Sequence, residues 1–281
     1  MKLQIFQVDA FTGRVFSGNP AAVCPLDGWL PTELMQQIAA ENNLSETAFF
    51  VRQGGVFELR WFTPTTEVDL CGHATLASAY VIRNYLGIEG TLVFQTRSGL
   101  VSADENAGRI ILDFPAAEVA SSQSPPKALA EGLHAPPEEI LASGEAGGSG
   151  FYLAVYPSET VIRGLSPDMR LLSSLGRMGV VVTAPGDTSD FSSRCFAPTF
   201  GIDEDPVTGS VHCFLTPYWA SRLGKTRLHA RQVSRRGGEL FCELSGERVR
   251  IGGRAVCYLE GTIEVPQDEN RKRRPSWPPS G

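Results

Sequence analysis

Two short stretches hold the residue types best suited to chemistry, 69-DLCGHATLA-77 and 205-DPVTGSVHC-213. Each reads as a glycine turn that runs into a helix apolar on nearly every side. His73 follows Gly72 and Ser210 follows Gly209, so each sits in the first turn of its helix. A helix start carries unpaired N–H groups and roughly half a positive charge. Two such starts facing one cleft would hold an anion, most simply a substrate carboxylate. Glycine ahead of the helix lets the backbone come close to that ligand. The plainer reading makes both turns the ends of core helices, with Ser210 as a capping side chain. The residues alone leave the two readings open. Glu46, in 44-LSETAFFV-51, stands where a polar turn passes into an apolar strand, and taken alone it reads as a surface residue.

Hydrophobic periodicity supplies the elements that must position these groups. Residues 3–9 alternate as a strand, and 11–26 follow with a Gly-Asn-Pro turn signal at 18–20. That segment is either a loop between strands or a contributor to the site through Asn19. An apolar stripe of Leu34, Met35, Ile38 and Ala39 makes 31–43 a helix. Strands are expected at 44–51 and 56–63, then a buried helix over 73–86 that stops at Gly87. Strands follow at 91–97, 99–103 and 109–114. The Ser-, Ala- and Pro-rich stretch 115–126 reads as a linker.

Beyond it we expect a helix near 126–133, a flexible loop at 143–150, strands at 151–155 and 159–164, and a short helix near 167–176. Strands at 179–184 and 190–197 precede the second glycine turn. The helix after that turn runs to about 223, with Pro217 inside it where it should kink the axis. Strands at 228–234, 239–244, 248–252 and 254–264 close the pattern. The charged, Pro-rich end 266–281 reads as a disordered tail.

The two halves repeat. Phe57 to Arg60, Phe62 and Pro64-Thr65 match Phe191 to Arg194, Phe196 and Pro198-Thr199. Gly72 matches Gly209, the helix ends Leu86-Gly87 and Leu223-Gly224 correspond, and Gln95 corresponds to Gln232. Similar spacing over this length points to two related α/β units, each wrapped on a buried helix.

Bulk properties narrow the partners. The 281 residues suit one large or two medium domains, at 42% hydrophobic and 20% charged. A net charge of −6 argues against nucleic acid or an anionic membrane as the main partner. No stretch has the 18 or so consecutive apolar residues of a membrane span, and the first residues read as a strand rather than a signal peptide. Six scattered cysteines without a CxxC pair suit a reduced, cytoplasmic setting.

The stretches 8–26, 42–50, 69–79, 203–225 and 249–263 together resemble the phenazine-biosynthesis PhzF-like family of the diaminopimelate-epimerase superfamily. The resemblance implies an α/β (α+β) fold of two similar domains, each a mixed β-sheet or barrel around a central buried helix. It sets an N-terminal lobe at 1–118 and a C-terminal lobe at 119–265, with the site between them. It also implies a homodimer and no cofactor, and no metal is assigned. Glu46 matches the family's proton-shuttling acid/base, His73 the histidine at the first helix start, and Asp205 and Ser210 the pair on the opposite lobe. Gly72 and Gly209 would hold the substrate carboxylate, with Asn19 and Ser45 as further substrate-binding candidates. A carboxylate returns a proton best when partial burial raises its proton affinity, and Ala48, Phe49 and Phe50 supply a dry wall beside Glu46. The run 232-QVSRRGGE-239 departs from the family's Gln-Gly and Arg-Pro-Ser pattern, which puts the phenazine precursor in doubt as the substrate.

Three rivals stand beside an acid/base isomerase. A two-cysteine racemase needs a thiolate at each helix start, but the counterpart of Cys71 is Pro206. A zinc site could draw on Cys71, His73, His212 and Cys213, without supporting ligand spacing. A binding module could keep the fold and lose the chemistry.

Overall fold

The computed structural model describes residues 1–144 and 150–266. The expected loop at 143–150 lies mostly outside the described residues, as does nearly all of the expected tail. The first part of the chain forms β1 (Lys2–Ala10), β2 (Asn19–Leu26), α1 (Thr32–Asn42), β3 (Glu46–Gln53), β4 (Val56–Phe62), β5 (Glu67–Val68), α2 (Gly72–Leu86), β6 (Leu92–Thr96), β7 (Gly99–Asn106) and β8 (Arg109–Pro115). Then come β9 (Ala120–Ser121), α3 (Lys127–Leu133), β10 (Glu139–Ser143), β11 (Gly150–Val155), α4 (Glu159–Gly164), α5 (Met169–Ser173), β12 (Met178–Pro185), β13 (Phe191–Ala197) and β14 (Ile202–Asp205). The last elements are α6 (His212–Leu223), β15 (Arg227–Gln232), β16 (Gly238–Ser245), β17 (Arg248–Gly253) and β18 (Ala255–Glu264).

All the strands belong to one mixed sheet, and its pairings extend the repeat well beyond the matched sequence. β1 is antiparallel to β2, β2 parallel to β3, and β3 antiparallel to β4. β4 returns parallel to β6 across α2, and β6, β7 and β8 form a meander. In the same order, β10 is antiparallel to β11, β11 parallel to β12, and β12 antiparallel to β13. β13 returns parallel to β15 across α6, and β15, β16 and β17 form the second meander. The two meanders meet at β8 and β17, which pair antiparallel. The outer edges also correspond, β18 lying on β1 and β9 on β10. Residues 255–264 thus complete the sheet of the first half.

Side chains obey the same repeat. Arg60 forks onto Glu67 at 2.7 and 2.8 Å, tying β4 to β5. Arg194 forks onto Glu204 at 2.7 and 3.1 Å, tying β13 to β14. Each guanidinium also covers an aromatic ring two residues on, Phe62 at 5.2 Å and Phe196 at 4.8 Å. These clamps fix the short strands that lead into the two glycine turns.

The core sits around the two helices. α2 packs on β1, β2, β3 and β8, and α6 packs on β15, β16 and β17. Gly72 through Ala79 are buried without a break, as are Val81 and Ile82, which is why α2 lacks a polar face. Full burial of each large aliphatic side chain stabilises by about 1.5–3 kcal/mol. Gly87 ends α2 in the left-handed conformation at φ 64°, accepted without a side-chain penalty.

Three expectations change. Residues 159–164 form α4 rather than a strand. Val161 and Ile162 suggested a strand, but Ser158 accepts the Val161 N–H and caps a helix. Residues 11–26 are half strand, because β2 starts at Asn19. The second helix begins at His212, so Ser210 lies ahead of it in tight turns, where His212 N–H donates to Gly209 O and Cys213 N–H to Ser210 O. Ser210 is therefore not the cap; Val211 holds that position without a side-chain bond. Among the described residues no helix is long and apolar enough to cross a membrane.

Candidate active site

Glu46 is the first residue of β3 and pairs in register with Ala21 of β2. Asn19 begins β2 two residues earlier, so both side chains arrive at one end of the sheet. α2 presents His73 from its first turn, and β14 delivers Asp205 from the other half. All four are buried: Glu46 is 9% exposed, Asp205 8%, His73 4% and Asn19 0%.

His73 is the centre of the cluster. Its Nε2 lies 3.0 Å from Glu46 Oε2. The approach is off line for a hydrogen bond, and neither atom has a hydrogen-bond partner among the described residues. On the ring's other side, Nδ1 lies 3.5 Å from Cys71 Sγ and 3.2 Å from Asn19 Nδ2. Asn19 Nδ2 donates to Asp205 Oδ1 and to Val207 O, each at 2.8 Å, which uses both amide hydrogens. A proton on Nδ1 is therefore directed to Cys71.

Charge follows this geometry. Burial works against a charged His73, but negative charge at Cys71 and Glu46 outweighs it, and the imidazole pKa is raised well above its ordinary value. Burial pushes the Cys71 thiol up, and the Glu46 charge adds to that rise. Burial pushes the Asp205 carboxyl up to about 6; His73 lowers it, Glu46 adds to the rise, and hydrogen bonds from Thr208 and Asn19 lower it.

Asp205 is held from several directions. The Thr208 hydroxyl donates to Oδ2. Gln232 Nε2 donates to the Asp205 carbonyl at 2.8 Å and to Thr208 Oγ1 at 3.1 Å, while Thr208 N–H donates to Gln232 Oε1 at 2.9 Å. In the sequence Gln232 stands out as the repeat counterpart of Gln95 and as the start of QVSRRGGE, and Thr208 only as part of DPVTGS. Both are supports that position Asp205.

A second support crosses between the halves. Arg236 Nη2 lies 2.8 Å from the buried Asp9 Oδ1, and its donors also reach Ser17 O at 3.0 Å and Gly18 O at 2.8 Å. Gly18 N–H donates to Gly237 O at 2.8 Å. The run QVSRRGGE thereby holds the turn whose next residue is Asn19. A signal for Asp9 was available: it is an acid within an otherwise apolar stretch of strand.

The two glycine turns touch. A Cβ built on Gly72 would lie 3.4 Å from Gly209 Cα and 3.8 Å from Ser210 N. Neither helix start has a side-chain cap, but the first N–H groups of α6, those of His212 and Cys213, bond back to Gly209 O and Ser210 O. Ser45 is half-buried beside Glu46 and makes no side-chain hydrogen bond among the described residues. Ser210 is likewise half-buried, with Asp205, rather than Ser210, bonded into the cluster.

The rival chemistries separate here. Cys71 has no facing cysteine: Cys195 is the cross-strand neighbour of Asp205, buried, and its thiol is pushed up by burial and by the Asp205 charge. His212 and Cys213 do not join a zinc set with Cys71. His212 Nδ1 contacts Thr208 O at 2.8 Å, and burial lowers its pKa to about 4. Cys71, His73 and Glu46 do offer one donor atom each within 4.8 Å of one another, the mixed S, N, O set that suits a transition metal. Glu46 and His73 of this set are also the candidate acid/base residues.

Residues 8–261 match the model of the phenazine biosynthesis-like protein family, PhzC-PhzF. The chain belongs to this family. It is similar to an uncharacterized isomerase of Pseudomonas aeruginosa, 50% identical over 269 residues that cover 94% of this chain and 100% of that protein. A crystal structure of a PhzF-family phenazine biosynthesis protein from Enterococcus faecalis superposes with a TM-score of 0.88 at 44% identity, covering 94% of this chain and 100% of that one. The fold alone extends further, to a hydroxyproline epimerase of Agrobacterium vitis at TM-score 0.60 and 11% identity, covering 95% of this chain and 94% of that one. The phenazine biosynthesis-like family and the epimerase-like fold thus agree with the internal repeat.

Proposed function

We propose that this chain is a cofactor-independent isomerase that moves a proton within a small, amino-acid-like cyclic carboxylate. One observation carries the reading: Glu46 Oε2 and His73 Nε2 lie buried, 3.0 Å apart, without hydrogen bonds. The two atoms face each other and have no hydrogen-bond partner among the described residues, so both keep capacity for a group that the substrate brings.

In this reading the uncapped helix starts receive the substrate carboxylate. Glu46 removes a proton from a carbon beside the carboxylate or an enamine: the C–H bond breaks, an O–H bond forms, and the electron pair enters the conjugated system. Glu46 then returns the proton at another carbon, and no electrons are gained or lost overall. His73, held protonated, stabilises negative charge that grows in the transition state. Asn19 and Asp205 position the ring of His73 and offer an acceptor to a substrate amine. The homodimer belongs to the same proposal and is read by sedimentation velocity.

The test is proton exchange followed by NMR in D₂O with cyclic amino-acid-like carboxylates. The wild type should exchange a carbon-bound proton and Glu46→Gln should not. Equal exchange by both would remove Glu46 as the base. Ligand binding that survives in Glu46→Gln, with no exchange by the wild type, would favour the binding module.

A further inference from the structure

A groove on the seam between the halves has a chemistry of its own. A cavity of 430 Å³ is lined by Arg14, Arg163, Arg231 and Arg236, and an adjoining one of 210 Å³ by Arg109 and Arg254. They share Phe11, Thr12, Gly13 and a single acid, Glu239. Arg163 and Arg236 are already paired, with Glu159 and Asp9. Arg14, Arg109, Arg231 and Arg254 form no ion pair among the described residues. Arg231 has only the Thr188 hydroxyl at 2.9 Å, and the buried Nε of Arg109 has no hydrogen-bond partner.

Four uncompensated guanidinium groups against one carboxylate are out of keeping with a chain of net charge −6. Like charges gathered in one concavity repel one another unless an anion joins them. Guanidinium forks suit carboxylate and phosphate oxygens, which they bind in pairs. The groove is separate from the reactive cluster. Phe11 lines both cavities, and the far edge of its ring lies 3.5 Å from where a Cβ on Gly209 would sit, so its ring stands between the groove and the glycine turns.

The groove also limits the ligand. Its second aromatic ring, Phe241, has Arg109 3.5 Å from its centroid and stacks with His229 at 4.9 Å. With those neighbours in place it offers no open platform for a nucleobase. We propose that this seam groove binds a compact polyanion, a small molecule bearing two or more phosphate or carboxylate groups, outside the catalytic cluster. The proposal does not depend on the proton chemistry of Glu46.

Isothermal titration of the full chain with inorganic pyrophosphate and with citrate tests it, the two arms separating phosphate from carboxylate. At least one should bind, and the affinity should fall as sodium chloride rises. The Arg14→Gln/Arg231→Gln double variant should lose 10-fold or more, and Glu239→Gln, which removes the one acid, should gain several-fold. Glu46→Gln should bind as the wild type does. Absence of binding by both probes, or equal affinity in the arginine double variant and in Glu239→Gln, would overturn the proposal. A nucleoside diphosphate that binds tighter than pyrophosphate would overturn the compact class.

Discussion

The two halves have the same strand order, the same crossover helix and the same arginine clamp, yet only one carries the buried Glu46–His73 pair. Matching Phe62 with Phe196 places Thr47 opposite Val180 in register, and so sets Gly179 where the first half has Glu46. A Cβ on Gly179 would fall 2.4 Å from the Phe151 ring. The second half has filled the space that the first keeps for a carboxylate. The helix starts differ in the same sense. α2 begins directly at Gly72 and presents His73, whereas α6 begins three residues after Gly209 and leaves Asp205 and Thr208 to face across. Two similar halves thus bring different side chains to the seam, Glu46 and His73 from one and Asp205 and Thr208 from the other.

The comparison can be broken most directly at Glu46. Glu46→Gln should lower kcat for isomerisation about 10²–10⁴-fold, with thermal stability near that of the wild type; a residual rate near wild type would place the base elsewhere. Next in size is the bridge between halves. Arg236→Ala leaves the Asp9 carboxylate buried without its partner and should cost about 3 kcal/mol in urea unfolding. Arg236→Ala/Asp9→Asn should recover part of that stability, and failure to recover would mean that the contacts to Ser17 and Gly18 carry the effect. Gly179→Ala should cost about 1–3 kcal/mol through crowding against Phe151 and add no activity; a neutral outcome would mean that the second half is not packed against a side chain at this position.

A smaller difference separates the clamps. Glu67 also pairs with Arg97 at 2.7 Å, a partner that Glu204 lacks among the described residues. Glu67→Gln should therefore destabilise more than Glu204→Gln, by about 0.5–1 kcal/mol, and equal losses would show that the extra pair contributes nothing. The smallest effect is a pH dependence. Asp205 holds its proton up to about 6 against an ordinary 3.8. A raised acid contributes stability that is full below its unfolded value and is lost as pH rises through the folded one. The melting temperature of Asp205→Asn minus that of the wild type should therefore grow between pH 4.5 and pH 7.5, and a difference that shrinks would reverse the assignment.

Much of this was legible from the chain. Periodicity and the glycine stop located α2 and the strands that follow it, and matched residues at similar spacing located the repeat, because these are local signals. The resemblance pointed to Glu46 and His73, and the structure brings both to one place with Asn19 and Asp205. What the chain did not show were contacts made between distant segments. Arg236 reaches Asp9 across 227 positions, and Gln232 supports Asp205 through a carbonyl. No periodicity encodes such pairs. α4 was misread because Val161 and Ile162 favour extended chain, while the single Ser158 cap that overrides them is a weaker mark. The repeat aligns Ser210 with His73, but the tight turns after Gly209 delay the helix and alter what the residue can do.

The pairing of β1 with β18 has a consequence for how the molecule is made. Lys2 lies opposite Glu264 and Ala10 opposite Ala255, so β1 finds its outer neighbour across nearly the whole described span. Until that pairing forms, one edge of the first sheet stands unzipped, a template for stray strands. The half that holds Glu46 and His73 is thus sealed by a contact of very high sequence separation, slow by its nature.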